Sequence, residues 1–330
     1  MIPFLIIIIL GFFADFIIGD PVYSCHPVRL IGRCISFFES MLRRFGLSGK
    51  VGGLLLVVII EGVTIFSYLA LTFIFHQLFS PVGLIFDLFV CFSCFALRDL
   101  FHHIKPVAQA LMQDNIIDAK KALSMVVGRD VQFLDETGVC RASIETLAEN
   151  FVDGFLSPLF WFLAGGISAY LFALELLKPA ISFMLAFKVA STLDSMVGYR
   201  TPEFIKFGWA GARLDDVMNL LPARISFIFM FFGAWISGIY PVDGFKAGMR
   251  DRLKHDSPNA GHAESFTAGA LHIRLGGPTI YKDGLRNKPW IGEDNPDPGP
   301  KEIISAIRFI KASALVAMIP PLFMLLLAIS

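Results

Sequence analysis

Apolar residues in this chain come in long unbroken runs separated by polar loops, a pattern unlike either a one-sided amphipathic helix or an alternating strand. Runs close to the ~20 residues needed to cross a hydrocarbon core predict helical spans over 2–18, 51–79, 158–177, 223–240 and 304–329. Two further runs, 82–97 and 180–193, are short. The first carries Asp87; the second carries Lys188, follows Pro179 and runs into Asp194. Such segments are expected where a helix is buried against protein, and 180–193 is expected to be re-entrant. The fold class is therefore all-α. The chain reads as a polytopic integral membrane protein, one membrane domain over 1–330, with polar loops forming a site at the membrane surface. The first run lacks a basic stretch before it and a small-residue cleavage site after it, and is expected to stay as an anchor.

Composition agrees: of 330 residues 55% are hydrophobic, 34 are Phe and only 17% are charged, and the mean hydropathy is +0.66. The formal net charge is zero and the basic residues form no long run, so neither a nucleic-acid partner nor an acidic one is expected. Lys and Arg collect in the loops 19–50, 98–156 and 241–303, which are therefore expected to be cytoplasmic, in a multi-pass protein of the cell membrane. Keeping 241–303 on that side is what requires a re-entrant segment. Among the five cysteines only Cys91 and Cys94 have a metal-like spacing; they lie in an apolar run without a second pair and read as small buried hydrophobes.

Polar clusters beside the spans are the places for chemistry. Asp15, Asp20 and His26 follow one another at the end of the first span, with Pro21 and Pro27 as helix breakers. Glu145, Glu149 and Asp153 recur every four residues and share one helix face with Asn150 nearby. This is either a solvated face or a site for a cation or amine. Lys188, Asp194, Tyr199 and Arg200 form a third cluster, open to an ion-pair reading. Arg213, Asp215, Asp216 and Asn219 form a fourth, spaced to present oxygens to a hard cation. The fifth, Ser257 to Pro278, holds Ser257, Asn259, Glu264, Arg274, Gly276 and Gly277. Its glycine N–H groups and guanidinium suit a phosphate. His255, His262 and His272 fit no zinc spacing, and neither a Walker A motif nor a dinucleotide fingerprint is present.

Together these clusters form an ordered set: GDPxxxxHPVRLIG from Gly19, GRDxxxLD from Gly128, ExxAENxxDGxxSPLFW from Glu145, TLDSMVGYR from Thr192, FGWAGARLDDxxNxxPAR from Phe207 and SPNAGxxExxxAGALxxRLGGP from Ser257. In them the chain resembles the adenosylcobinamide-phosphate synthases of cobalamin biosynthesis, the CobD/CbiB type, over almost its whole length. It departs at Ser191, where the family often carries Asn. The resemblance implies an ATP-dependent ligase that joins adenosylcobyric acid to (R)-1-aminopropan-2-ol phosphate, with Mg2+ as cofactor and a corrinoid as substrate. Other cobalamin-assembly membrane enzymes are implied as candidate partners, beside the lipid bilayer itself.

On that reading Glu149, Asn150, Asp153, Asp215 and Asp216 are expected to hold magnesium. Asp20, Lys188, Tyr199, Arg200, Arg213, Ser257, Asn259, Arg274, Gly276 and Gly277 are expected to bind substrate or phosphate. His26, Glu145, Asp194 and Glu264 are the catalytic candidates, with His26 or Glu264 as base. A transporter, supported by Asp87, Lys188 and Asp194 in apolar runs, and a membrane sensor of the AmpE type are the competing readings.

Overall fold

The computed structural model describes residues 1–19, 23, 25–128, 130–281 and 284–329. Its helices, in chain order, begin with α1 (Ile2–Ile18), α2 (Pro27–Arg44), α3 (Lys50–Leu78), α4 (Ser80–Phe92), α5 (Leu97–Leu111) and α6 (Ile116–Leu123). Then come α7 (Glu136–Phe151), a single π-helical turn (Val152–Leu156), α8 (Ser157–Leu171), α9 (Leu177–Val197), α10 (Trp209–Met218) and α11 (Leu220–Ile236). After α12 (Pro241–Asp251) and α13 (Ala260–Leu271) follow the short strands β1 (Leu275–Gly276), β2 (Thr279–Tyr281), β3 (Gly284–Arg286) and β4 (Trp290–Ile291). The helices α14 (Pro300–Ala317) and α15 (Ile319–Ile329) complete the chain. Among the described residues six helical stretches are long and apolar enough to cross a membrane, the shortest being α9 with 21 residues. The expected all-α, polytopic class holds.

The helix ends follow local chemistry. Pro27 opens α2, and Arg43 and Arg44 close it, where cations complement the helix dipole. Asp135 caps α7 by accepting the Gly138 N–H at 2.7 Å. Glu175 caps α9 through the N–H groups of Leu177 and Lys178. With that cap, α9 runs unbroken through Lys188 to Val197. At ~1.5 Å per residue α9 is long enough to cross a membrane, and Pro179 stands in its first turn, where proline is tolerated; the stretch 180–193, expected as a short re-entrant segment, lies within this single longer helix.

The chain forms two compact units. The first comprises Met1–Ala96, Ser157–Asn219 and Pro320–Ser330. Its core joins Ile31 and Ile35 of α2, Leu56 and Ile60 of α3, and Val189 and Leu193 of α9. The acid in the short run of α4 is fully accommodated here: Asp87 accepts hydrogen bonds from Tyr68 (3.0 Å), Thr72 (2.7 Å) and His76 (3.0 Å) of α3. Asp87 thus pins the α3–α4 hairpin, which removes one support of the transporter reading.

The second unit comprises Leu97–Leu156 and Leu220–Ile319. The segment expected as one long loop from 241 instead folds into an antiparallel helical hairpin and four strand fragments. In α13 every residue from Ala260 to Ala270 is buried. Small residues make this burial feasible: a Cβ on Gly269 would stand 2.4 Å from Ala247 and from the Asp243 carbonyl oxygen, so the two backbones touch at that point. Strand β1 pairs antiparallel with β4, Gly276 opposite Trp290.

Candidate active-site cleft

A cleft of about 120 Å³ opens in the second unit, lined by Glu145 of α7, the turn Lys254–Asp256, Glu264 of α13, Gly276 of β1 and the segment Asn287–Ile291. Three residues singled out in the sequence, Glu145, Glu264 and Gly276, are therefore brought together across more than a hundred positions of chain. Lys254 and Lys288, not singled out from the sequence, and His255, weighed there only as a zinc ligand, join them. Their signal was adjacency to the Ser257 motif for Lys254 and His255, while Lys288 stands in a stretch without any apolar period. The volume lies below the ~300 Å³ of a drug-sized site.

Its walls are fixed by charge. Asp251, fully buried, accepts from Arg250 (2.9 and 2.8 Å), from the Gly292 N–H (2.9 Å) and from Lys254 (3.1 Å). Burial alone would raise this carboxyl; the hydrogen bonds outweigh it and hold the pKa down at about 2. Lys254 also donates to the Trp290 carbonyl at 3.1 Å. On the other side, Asp297 takes a two-point contact from Arg274 (3.0 and 2.6 Å) and one from Arg141 (2.7 Å). Both guanidinium groups lie over the Trp290 ring, 4.3 Å and 5.2 Å from its centroid. The Arg274 hydrogen bond, first among the causes, keeps the Asp297 carboxyl below the usual range.

The groups expected to bind phosphate at Arg274, Gly276 and Gly277 have partners within the fold. The Gly276 N–H donates to Glu145 at 2.8 Å, the Gly277 N–H to the Pro289 carbonyl at 3.2 Å, and the Arg274 guanidinium to Asp297. The glycines serve backbone geometry: φ is 69° at Gly276 and 75° at Gly277, and a Cβ on Gly277 would stand 2.4 Å from the Trp290 ring. Ser257 and Asn259 stand at the start of α13. The Ser257 hydroxyl accepts the N–H groups of Asn259 and Ala260, both at 3.3 Å, at the start of α13.

In the first unit a second constellation forms around Asp194 of α9 and Asp216 of α10, which lie within electrostatic range of each other; Arg213 bonds Asp216 at 3.3 Å, and Arg200 adds positive charge nearby. Asp215 behaves differently. Both its oxygens accept from Asn219 (3.2 and 3.1 Å), whose own oxygen accepts from Ser157 at 2.5 Å. Tyr199 is exposed and meets Phe204, and Lys188 stands partly buried near Cys94. His26 is buried at the start of α2 with its ring against Tyr23, and does not line the cleft. Asp20 lies outside the described residues.

The oxygens expected to hold magnesium are divided between the units: Glu149, Asn150 and Asp153 at the end of α7 and in the π-turn of one, Asp215 and Asp216 in the other. Asn150 donates to the Thr146 carbonyl of its own helix at 3.0 Å. Among the described residues no three His, Cys, Asp or Glu side chains form a group able to hold a metal. Magnesium is commonly held by one or two carboxylates together with nucleotide phosphates. The Asp194 and Asp216 carboxylates, with Arg200 and Arg213 beside them, fit that demand.

An α-helical, multi-pass membrane protein carrying a mixed-charge polar cleft is the class these features define. The chain belongs to the CobD/CbiB family: the family model described as "CobD/Cbib protein" matches residues 8–310. It is 39% identical over 291 residues to the "Cobalamin biosynthesis protein CobD" of Pelobacter propionicus, covering 87% of this chain and 84% of that protein. It is 36% identical over 310 residues to the "Cobalamin biosynthesis protein CbiB" of Salmonella typhimurium, covering 92% of each. No solved structure matches.

Proposed function

We propose that this protein works in cobalamin biosynthesis in the bacterial cell membrane, as the ligase that joins adenosylcobyric acid to (R)-1-aminopropan-2-ol phosphate with ATP and Mg2+, giving adenosylcobinamide phosphate. The observation that carries the reading is the cleft. It sets the carboxylates Glu145 and Glu264, with Asp256 beside them, against Lys254, Lys288 and His255, the complement of a small molecule with a cationic amine at one end and a phosphate at the other. The amine faces the carboxylates, and Glu264, 3% exposed, is the base that takes its proton. The lysines, with Lys254 already leaning on Asp251, meet the phosphate.

Asp194 and Asp216 would hold magnesium, which when bound neutralises nucleotide phosphate charge; Arg200 and Arg213 supply further positive charge. Activation of the corrinoid carboxylate as a mixed anhydride with phosphate makes its carbonyl carbon open to attack by the amine, and phosphate leaves. Other cobalamin-assembly membrane enzymes are its proposed neighbours. The test is incubation of detergent-purified protein with the corrinoid acid, the amino-alcohol phosphate, magnesium and ATP. Phosphorylated cobinamide formed only when ATP is present supports the reading; a pure, folded protein that makes none under these conditions rejects it.

A further inference from the structure

One imidazole in the cleft has its proton fixed by the backbone. Ser257 donates its N–H to Nδ1 of His255 at 3.0 Å. A ring nitrogen that accepts a hydrogen bond carries no proton, so the neutral ring keeps its proton on Nε2. That nitrogen stands 3.7 Å from Oε1 of Glu264, whose side chain is 4% exposed against 23% for His255. The separation is in ion-pair range and longer than a hydrogen bond, the open geometry that active-site contacts show before a ligand draws them in. Burial, with the Lys288 charge next, lowers the pKa of His255 and so favours the neutral donor.

We propose that His255 is a positioning residue: its Nε2–H orients the Glu264 carboxylate to receive the ammonium group of the amine substrate. This deepens the ligase reading and rests on it. In the step concerned one ammonium N–H bond breaks, the proton passes to a Glu264 oxygen, and the electron pair stays on nitrogen. The nitrogen then bonds to the acyl carbon as the bond from that carbon to the phosphate oxygen breaks, and a second N–H proton leaves with the departing phosphate; the anhydride itself is made at the expense of a nucleoside triphosphate. His255 carries none of the transferred proton, because its Nδ1 lone pair is committed to Ser257. The charged groups sharing the cleft with Glu264 are Glu145 from α7, Lys254 and Asp256 from the α12–α13 turn, and Lys288 from the segment before β4.

Two isosteric replacements separate this role from its rivals. Gln places an amide N–H where Nε2 stands; Asn places an acceptor near Nδ1 and nothing at Nε2. His255→Gln is expected to keep kcat within roughly 10-fold of wild type, and His255→Asn to lose roughly 100-fold with the KM for the amine changed far less. The reverse order, Asn active and Gln dead, makes His255 a turn residue only and overturns the proposal. Loss of kcat in both, with the ring's own titration vanishing from the pH profile, makes it the base and overturns the proposal equally. An unstable Asn variant is covered by nitrogen NMR of histidine-labelled wild type. The His255 signal, assigned by its loss in His255→Gln, must show the Nε2–H tautomer at neutral pH, and an Nδ1–H signal rejects the proposal. A wild type that forms no amide rejects the ligase reading together with this one, whereas an active wild type with the wrong variant order rejects this one alone.

Discussion

Asp215 and Asp216 are neighbours in sequence with different surroundings. Both oxygens of Asp215 are bonded by Asn219, itself tied to Ser157, while Asp216 meets a mostly exposed Arg213 and lies near Asp194. Asp215→Ala is therefore expected to cost about 1–3 kcal/mol of stability, since it strands a buried amide, and to show as a lowered melting temperature. Asp216→Asn is expected to leave melting unchanged and remove amide formation; retained activity would take Asp216 out of the metal set. A spacing argument sees two equivalent carboxylates there, because which of them meets an amide depends on the fold.

His262 offers a second test at this scale. It is 3% exposed, packs on Phe227, and its Nδ1 finds no partner among the described residues. Burial first, then Arg224 and Arg252, lower its pKa to about 4. The unfolded ring protonates near the ordinary 6.5, so between 6.5 and 4 the unfolded state binds more protons and stability falls as pH falls. The contribution is on the order of 2–3 kcal/mol across that window. The drop in melting temperature from pH 7 to pH 4.5 is expected to be smaller in His262→Gln than in wild type.

At the scale of elements, the spans were legible because long apolar runs have one reading, and the expected helices appear within a few residues. The α12–α13 hairpin was not. Its polar residues Glu264, Ser265 and Thr267 argue for a loop, and its true signature is the run of Gly and Ala that lets two backbones meet. The carboxylates of the cleft were legible from their motifs; the partners of the Gly276 and Gly277 N–H groups, Glu145 and Pro289, were not, since a glycine pair in sequence does not say what its N–H groups meet. Gly269→Leu tests the hairpin directly. Its side chain has no room beside Ala247 and Asp243, so overpacking is expected to cost roughly 1–3 kcal/mol and to abolish amide formation by displacing Glu264. A variant that melts like wild type would mean the hairpin has slack the close contact does not show.

For the molecule as a whole, the course of α9 decides how the polar segments distribute across the bilayer. An unbroken 21-residue helix predicts that its two ends emerge on opposite faces. With Cys25 and Cys34 replaced, Leu174→Cys and Glu203→Cys are expected to react with an impermeant maleimide from opposite sides of sealed vesicles; labelling from one side restores a re-entrant segment. The family resemblance read from six motifs and the family model over 8–310 cover nearly the same stretch, so the chain's relationship was plain in its sequence while its division into two units was not. The clasp between Arg141 and Asp297 joins residues 156 positions apart. A ribosome must release almost the entire chain into the membrane before that clasp can close. A product truncated before Asp297 would carry most of its spans but no anchored Trp290 wall, so interrupted synthesis yields an inert membrane protein and not a partly working one.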